Sequence, residues 1–319
     1  VTVTATYKAP PDAPKTNLNT QRIAGDDRFA TAAAISKASF TTADTVILVN
    51  GLNFPDALAA TPLAYELNAP VLMVSGDTIH PATQSELNRL KPKNIIILGG
   101  SSAVSKNIET NLKATYTVRR LAGDSRYGTA EDIANELLKQ TGKQKFDTVI
   151  LAYGLNYPDA LGVGPGAALK GYPIVFTATN NIPVETQRIL AKADHVIIVG
   201  GSSVIDSTVQ KQLTATHKVT RLAGNNRYDT CLEIQKYFFK SGTNAVFAAT
   251  GTNFADALTG GVAAARNASP MILVDGKANN LPGGVATYVS SSGAKKVIVL
   301  GGSSAVNNTL KTQLEKAAN

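Results

Sequence analysis

One stretch of roughly a hundred residues occurs three times in this chain, which limits the fold before composition is considered. Gly25-Asp26-Asp27-Arg28-Phe29-Ala30-Thr31 returns as Gly123-Asp124-Ser125-Arg126-Tyr127-Gly128-Thr129 and again as Gly224-Asn225-Asn226-Arg227-Tyr228-Asp229-Thr230. A second block, Gly51-Leu52-Asn53-Phe54-Pro55-Asp56-Ala57-Leu58, recurs from Gly154 to Leu161 and from Gly251 to Leu258. The third block opens at Gly99-Gly100-Ser101-Ser102, Gly200-Gly201-Ser202-Ser203 and Gly301-Gly302-Ser303-Ser304, in steps of 101 residues. Copies of this length can each bury a core, whereas the ~20–50-residue units of solenoids depend on their neighbours. The expected organisation is a strand-like segment and Pro-rich linker over 1–18, followed by repeat domains 19–117, 118–218 and 219–319. Three copies of one polar surface suit repeated contact with a repetitive ligand. A single asymmetric active site needs only one.

Within each copy, strand-like and helix-like runs alternate. Asp27, Ser125 and Asn226 hold one position ahead of a helical stretch, and all are good N-caps. Thr45–Val49, Val71–Val74 and Asn94–Leu98 read as buried strands, with helices expected from Pro55 to Leu67 and from Pro81 to Leu90. Pro70, Pro173 and Pro270 each open a strand. After GlyGly comes a helix whose apolar stripe is Val104, Ile108 and Leu112, matched by Ile205, Val209 and Leu213 and by Val306, Leu310 and Leu314. Ser105, Asp206 and Asn307 are its caps. Continuous Val/Ile/Leu strands separated by helices predict α/β domains with a parallel sheet covered on both faces. Ahead of the repeats, Val1 to Tyr7 alternates as a strand would, and Lys8 to Lys15 reads as an extended proline linker.

Composition narrows the chemistry. The net charge of +8 favours an anionic partner, but the basic residues are scattered, with Arg119-Arg120 and Lys295-Lys296 the densest spots. Aromatics are 6% and tryptophan is absent, which disfavours nucleic acid and sugar-stacking platforms alike. No apolar run approaches the ~20 residues of a membrane span. The three histidines are not repeated between copies, no serine lies in GxSxG, and no metal-ligand spacing stands out. Cys231 takes the place of Ala32 and Ala130 and reads as a small buried residue. No catalytic residue, metal or cofactor is expected.

What remains are the repeated polar residues. Arg28, Arg126 and Arg227 stand beside an aromatic at a helix start, and Asp56, Asp159 and Asp256 at the start of another helix, where a carboxylate suits the dipole. With Asn53, Asn156 and Asn253 they either face a ligand or hold one copy to the next; sequence does not separate the two roles. Gly99-Gly100-Ser101, Gly200-Gly201-Ser202 and Gly301-Gly302-Ser303 are possible anion-binding turns, though a tight strand-to-helix turn is the simpler reading, since no full nucleotide fingerprint is present.

Taken together, AG-x-x-R-[FY]-x-T, G-x-N-[FY]-x-D-A-L, the Pro-apolar strand and GG-S-S resemble the cell wall binding repeat 2 family of Gram-positive surface proteins. The resemblance spans about Thr20 to Asn319 and all three copies. It implies three Rossmann-like domains in a compact pseudo-threefold trimer within one monomeric chain. It further implies an extracellular, wall-bound location and non-covalent anchoring to an anionic cell wall polysaccharide or teichoic-acid-like polymer at inter-domain grooves, without nucleic acid or membrane insertion. Any enzymatic task would lie outside these repeats. Asn225-Asn226 depart from Asp26-Asp27 and argue against three equal sites. The competing readings are a degenerate α/β enzyme using a nucleotide or phosphosugar and a structural surface-layer tile. Three further expectations follow: similar faces packing about a common axis, each repeated Arg ion-paired with a repeated Asp, and separated copies binding far more weakly than the whole.

Overall fold

The computed structural model describes residues 22–318; the expected N-terminal strand and linker lie outside that range. The first repeat contains β1 (Arg22–Ile23), α1 (Arg28–Ser39), β2 (Thr45–Asn50), α2 (Ala60–Glu66), β3 (Val71–Val74), α3 (Pro81–Leu90), β4 (Asn94–Leu98) and α4 (Lys106–Lys113). The second contains β5 (Thr117–Leu121), α5 (Arg126–Thr141), β6 (Phe146–Tyr153), α6 (Pro158–Lys170), β7 (Ile174–Thr177), α7 (Val184–Leu190), β8 (Ala193–Val199) and α8 (Ser207–Thr214). The third contains β9 (Lys218–Leu222), α9 (Arg227–Phe238), β10 (Ala245–Thr250), α10 (Ala255–Arg266), β11 (Met271–Val274), α11 (Val285–Ser291), β12 (Lys296–Leu300) and α12 (Asn308–Ala317).

The strands form three parallel four-stranded sheets, ordered β3-β2-β4-β5, β7-β6-β8-β9 and β11-β10-β12-β1. The continuous apolar strands, central β2 and edge β3 among them, are covered on both faces: Val46, Ile47, Leu48 and Val49 are fully buried. The proposed caps form as expected, with Asp27, Ser125 and Asn226 accepting from amides two or three residues on, and Ser105, Asp206 and Asn307 doing the same at the last helix of each repeat. The stripe of Val104, Ile108 and Leu112 is buried. One helix is shorter than expected: α2 begins at Ala60, which puts Pro62 in its first turn, where no N–H is required. Its counterparts α6 and α10 start at Pro158 and Ala255.

The stretches at the expected repeat boundaries, from Thr117 and from Lys218, are strands. Each leaves its own repeat to complete the preceding sheet: β5 pairs with β4, and β9 with β8. The first repeat does likewise for the last, Arg22 pairing opposite Val299 and Ile23 opposite Leu300. The three repeats therefore form a closed ring, each finished by the next.

The axis of that ring is lined by α2, α6 and α10, which pack on one another. Thr61, Gly164 and Gly261 occupy one repeat position, and here the helices come closest. A Cβ at Gly261 would lie 2.8 Å from Thr61 Oγ1, and one at Gly164 3.1 Å, so one hydroxyl fills the space that two glycines leave. Toward one end of the axis Phe54, Tyr157 and Phe254 meet with centroids 5.3–6.0 Å apart, geometry typical of favourable aromatic pairs. Another shared position places Tyr65 against Ala168 and Ala265. The pseudo-threefold arrangement is thus present, and at several axial positions the copies divide the space unequally.

Candidate functional site: the seams between repeats

Each strand donated to a neighbouring sheet carries an arginine that clamps that sheet's GlyGly turn. Arg22 donates to the carbonyls of Gly301 (2.7 Å) and Val306 (2.8 Å), and Arg221 to those of Gly200 (2.7 Å) and Ile205 (2.9 Å). Arg120 donates to Gly99 (2.6 Å) and to Glu109. The backbone adds a bond at the same place, Gly99, Gly200 and Gly301 donating to Leu121, Leu222 and Ile23. These arginines recur at one repeat position, two residues ahead of each AG-x-x-R block; the sequence shows their regular spacing but not the clamp they form.

The chain then crosses to its own repeat. The amides of Gly25, Gly123 and Gly224 donate to the hydroxyls of Thr31, Thr129 and Thr230 at 3.1–3.3 Å. This crossing brings the sequence-predicted residues together between different copies. At the seam from repeat 3 to repeat 1, Arg28, Asp26 and Asp27 share a cavity of about 350 Å³ with Asn253, Asp256, Lys277, Gly302 and Ser304. At the seam from 2 to 3, Arg227, Asn225 and Asn226 share one of about 180 Å³ with Asn156, Asp159, Gly201 and Ser203. Asp56 feels Arg126 and Thr129 across the remaining seam, while Asn53 is exposed on the loop just ahead of it.

The repeated arginines and aspartates do not form the expected close ion pairs. Instead each guanidinium reaches within its own repeat: Arg28 donates to the Gly51 carbonyl (2.7 Å), Arg126 to Gly154 (2.5 Å) and Arg227 to Gly251 (2.7 Å). Arg28 also lies 5.6 Å from the Phe254 ring centroid of the neighbouring repeat, and Arg126 5.9 Å from that of Phe54. The glycine carbonyl that follows the strand is the nearer acceptor, and the carboxylate is left facing the arginine across the seam. Burial consequently dominates the aspartates. It pushes the Asp256 carboxyl up to about 6 against the pull of Arg28, and raises Asp159 against Arg227 and Asp56 against Thr129 and Arg126.

Each aspartate packs on the first glycine of its own GlyGly turn. A Cβ there would stand 2.5 Å from Asp56 Oδ2 at Gly99, 2.8 Å from Asp159 at Gly200 and 2.2 Å from Asp256 at Gly301, and all three glycines have φ of +91° to +114°. These glycines are needed twice over, for the backbone and for the carboxylate. The turn does not open a helix directly. In the first copy the amides of Ala103 and Val104 are spent on the Gly100 carbonyl, and α4 starts only after the Ser105 cap. It is Ser203 and Ser304, with Gly201 and Gly302, that line the cavities, rather than Ser202 and Ser303.

The seams thus offer hydroxyls, amides and mixed charge, suited to holding a polar chain. The only described cysteine, Cys231, is buried, its thiol donating to the Met271 carbonyl and pushed up to about 12 by burial. His195 sits between Thr148 and Thr220, and His80 stacks on Phe29 beside Asp27. No group of metal-ligating side chains is found among the described residues, and no helix there is long and apolar enough to cross a membrane.

Comparison with known proteins places the repeats. The model of the family described as cell wall binding domain 2 matches residues 22–109, 120–210 and 221–311. The chain is 33% identical over 298 residues to the N-acetylmuramoyl-L-alanine amidase LytC of Bacillus subtilis, covering 92% of this chain and 58% of that protein. It is 34% identical over 295 residues to the amidase enhancer of the same organism, covering 92% and 40%. It therefore spans about half the length of these curated relatives. Among solved structures, Cwp6 from Clostridium difficile superposes with a TM-score of 0.85 at 27% identity, over 93% of this chain and 48% of that one.

Proposed function

Because this chain belongs to the cell wall binding domain 2 family, we propose that it anchors its protein to the bacterial wall by gripping an anionic wall polymer in the seams between repeats. The family makes it a cell wall binding module, and hence part of a surface or wall-associated protein. The seam assignment rests on one observation: the same set of Arg, Asn, Asp and Gly-Ser groups is assembled from two different copies at successive seams. In this reading the chain is a holder, and any catalysis belongs to a region outside it.

Three sites on one chain, facing a polymer that repeats, give retention well above that of any single site. Cutting the chain into single copies is a poor test of this, since each sheet's fourth strand belongs to the following copy. The intact chain is instead incubated with purified walls before and after removal of their secondary polymer, across a salt series. Retention should be lost on stripping and should weaken as salt screens exposed charge beyond ~10 Å at 0.1 M. Retention indifferent to both treatments would refute the reading; self-association without wall retention would point to a structural tile.

A further inference from the structure

The seams differ in charge at the point where they agree in geometry. The cavity between repeats 3 and 1 is bordered by three carboxylates, Asp26, Asp27 and Asp256, and by Arg28 and Lys277. Between repeats 2 and 3 the equivalents of the first two are the neutral Asn225 and Asn226, leaving Asp159 as the only carboxylate. Asp256 is 9% exposed, and its carboxylate accepts no hydrogen bond from the described residues. Arg28, its nearest cation, turns Nη1 to the Gly51 carbonyl and makes no close ion pair with it, and Lys277 is exposed on the far loop. A nearly buried carboxylate without a donor is costly, and a ligand that brings a charged donor removes that cost. Around it the Thr252 hydroxyl and the Asn253 side chain supply further oxygens.

We propose that the seam between repeats 3 and 1 takes a primary ammonium group of the wall polymer, while the seam between repeats 2 and 3 takes its anionic groups. This assignment rests on the seam reading above. An ammonium has three donors and a compact charge, and the carboxylates of Asp256 and Asp26 give it two anionic acceptors in one cavity. The polymer so recognised is zwitterionic, carrying amines along an anionic backbone.

The test uses the whole chain, isotopically labelled, titrated separately with ethylammonium chloride and with inorganic phosphate while backbone amide resonances are followed. Ethylammonium should shift Asp26, Asp27 and Asn253 and leave Asn225 and Asn226 in place; phosphate should do the reverse. The double variant Asp26→Asn, Asp27→Asn should weaken the ethylammonium response roughly tenfold, the loss expected of charge-assisted bonds. Folding is safeguarded because asparagine caps a helix as well as aspartate does, as Asn226 does at the matching position. Asp124→Asn, in the remaining seam, serves as the control and should change nothing. Ethylammonium shifts that are absent, spread evenly over the seams or indifferent to the double variant would overturn the ammonium assignment, with the anchor reading intact. Phosphate that perturbs no seam, together with wall retention that survives stripping, would instead sink the seam reading itself.

Discussion

The seam between repeats 3 and 1 and the seam between repeats 2 and 3 are built on the same backbone and differ in two ways. In the second, β9 follows α8 along the chain; in the first, β1 comes from far away in the sequence and is held to β12 by pairing, the Arg22 clamp and the buried Ile23. The first is also the more acidic, with Asp26-Asp27 against Asn225-Asn226. What both retain is the clamp, the Gly–Thr crossing bond and the Asp-on-Gly contact. Geometry is therefore fixed by residues that both seams share, leaving the charge at Asp26-Asp27 and Asn225-Asn226 free to vary.

The largest effect should come from filling the Asp-on-Gly contact. Gly301→Ala must combine a left-handed backbone with a Cβ 2.2 Å from Asp256, whereas Gly200→Ala faces 2.8 Å. We expect a loss of about 3–5 kcal/mol for Gly301→Ala and about 1 kcal/mol less for Gly200→Ala, read from urea denaturation. Equal losses would mean that backbone strain alone decides, and that the two seams are packed alike.

Next in size is the buried carboxylate. The Asp256 carboxyl, raised from 3.8 to about 6, binds its proton more tightly folded than unfolded. Its contribution is therefore fully present below about pH 4 and is lost as pH rises through 6. At pH 7 Asp256→Asn should raise the unfolding free energy by about 1–3 kcal/mol, and it should flatten the gain in stability otherwise seen on acidification from pH 7 to 4. Asp159→Asn should act in the same direction but less. A destabilised Asp256→Asn chain at pH 7 would restore the ion-pair picture that the distances argue against.

The smallest effect concerns charge itself. Asn225→Asp with Asn226→Asp makes the seam between repeats 2 and 3 resemble its acidic counterpart. Wall retention at low salt should fall a few-fold, equivalent to about 0.5–1 kcal/mol, and recover toward the parent's as salt is raised. The unfolding midpoint should not move, since either residue serves as the cap. Unchanged retention at low salt would show that this seam does not contact the polymer's charges.

Much of the fold could be read from sequence because strands buried on both faces of a covered parallel sheet are apolar throughout, the edge strand β3 included. Val71–Val74 and Asn94–Leu98 fall where that pattern puts them, as does α3. β5 and β9 could not be read the same way. As edge strands reading TVRRL and KVTRL they are only half-buried, and nothing local says which sheet they join. The site followed the same division. Repetition picked out Arg28, Asp56 and Asn53, but only the strand exchange decides that an arginine meets the aspartate of the preceding copy. The expected ion pair does not form because Arg28 turns to the Gly51 carbonyl at 2.7 Å, a contact that no sequence reveals.

The strand exchange also determines how the ring responds to being pulled. Tension applied to the chain ahead of Arg22 reaches β1 first, and β1 is two residues long where β5 and β9 are five. The Arg22 side chain, seated on the Gly301 and Val306 carbonyls, is then the latch that bears the load. The other two seams lie behind it along the chain, so such a pull meets the closing joint before it reaches them.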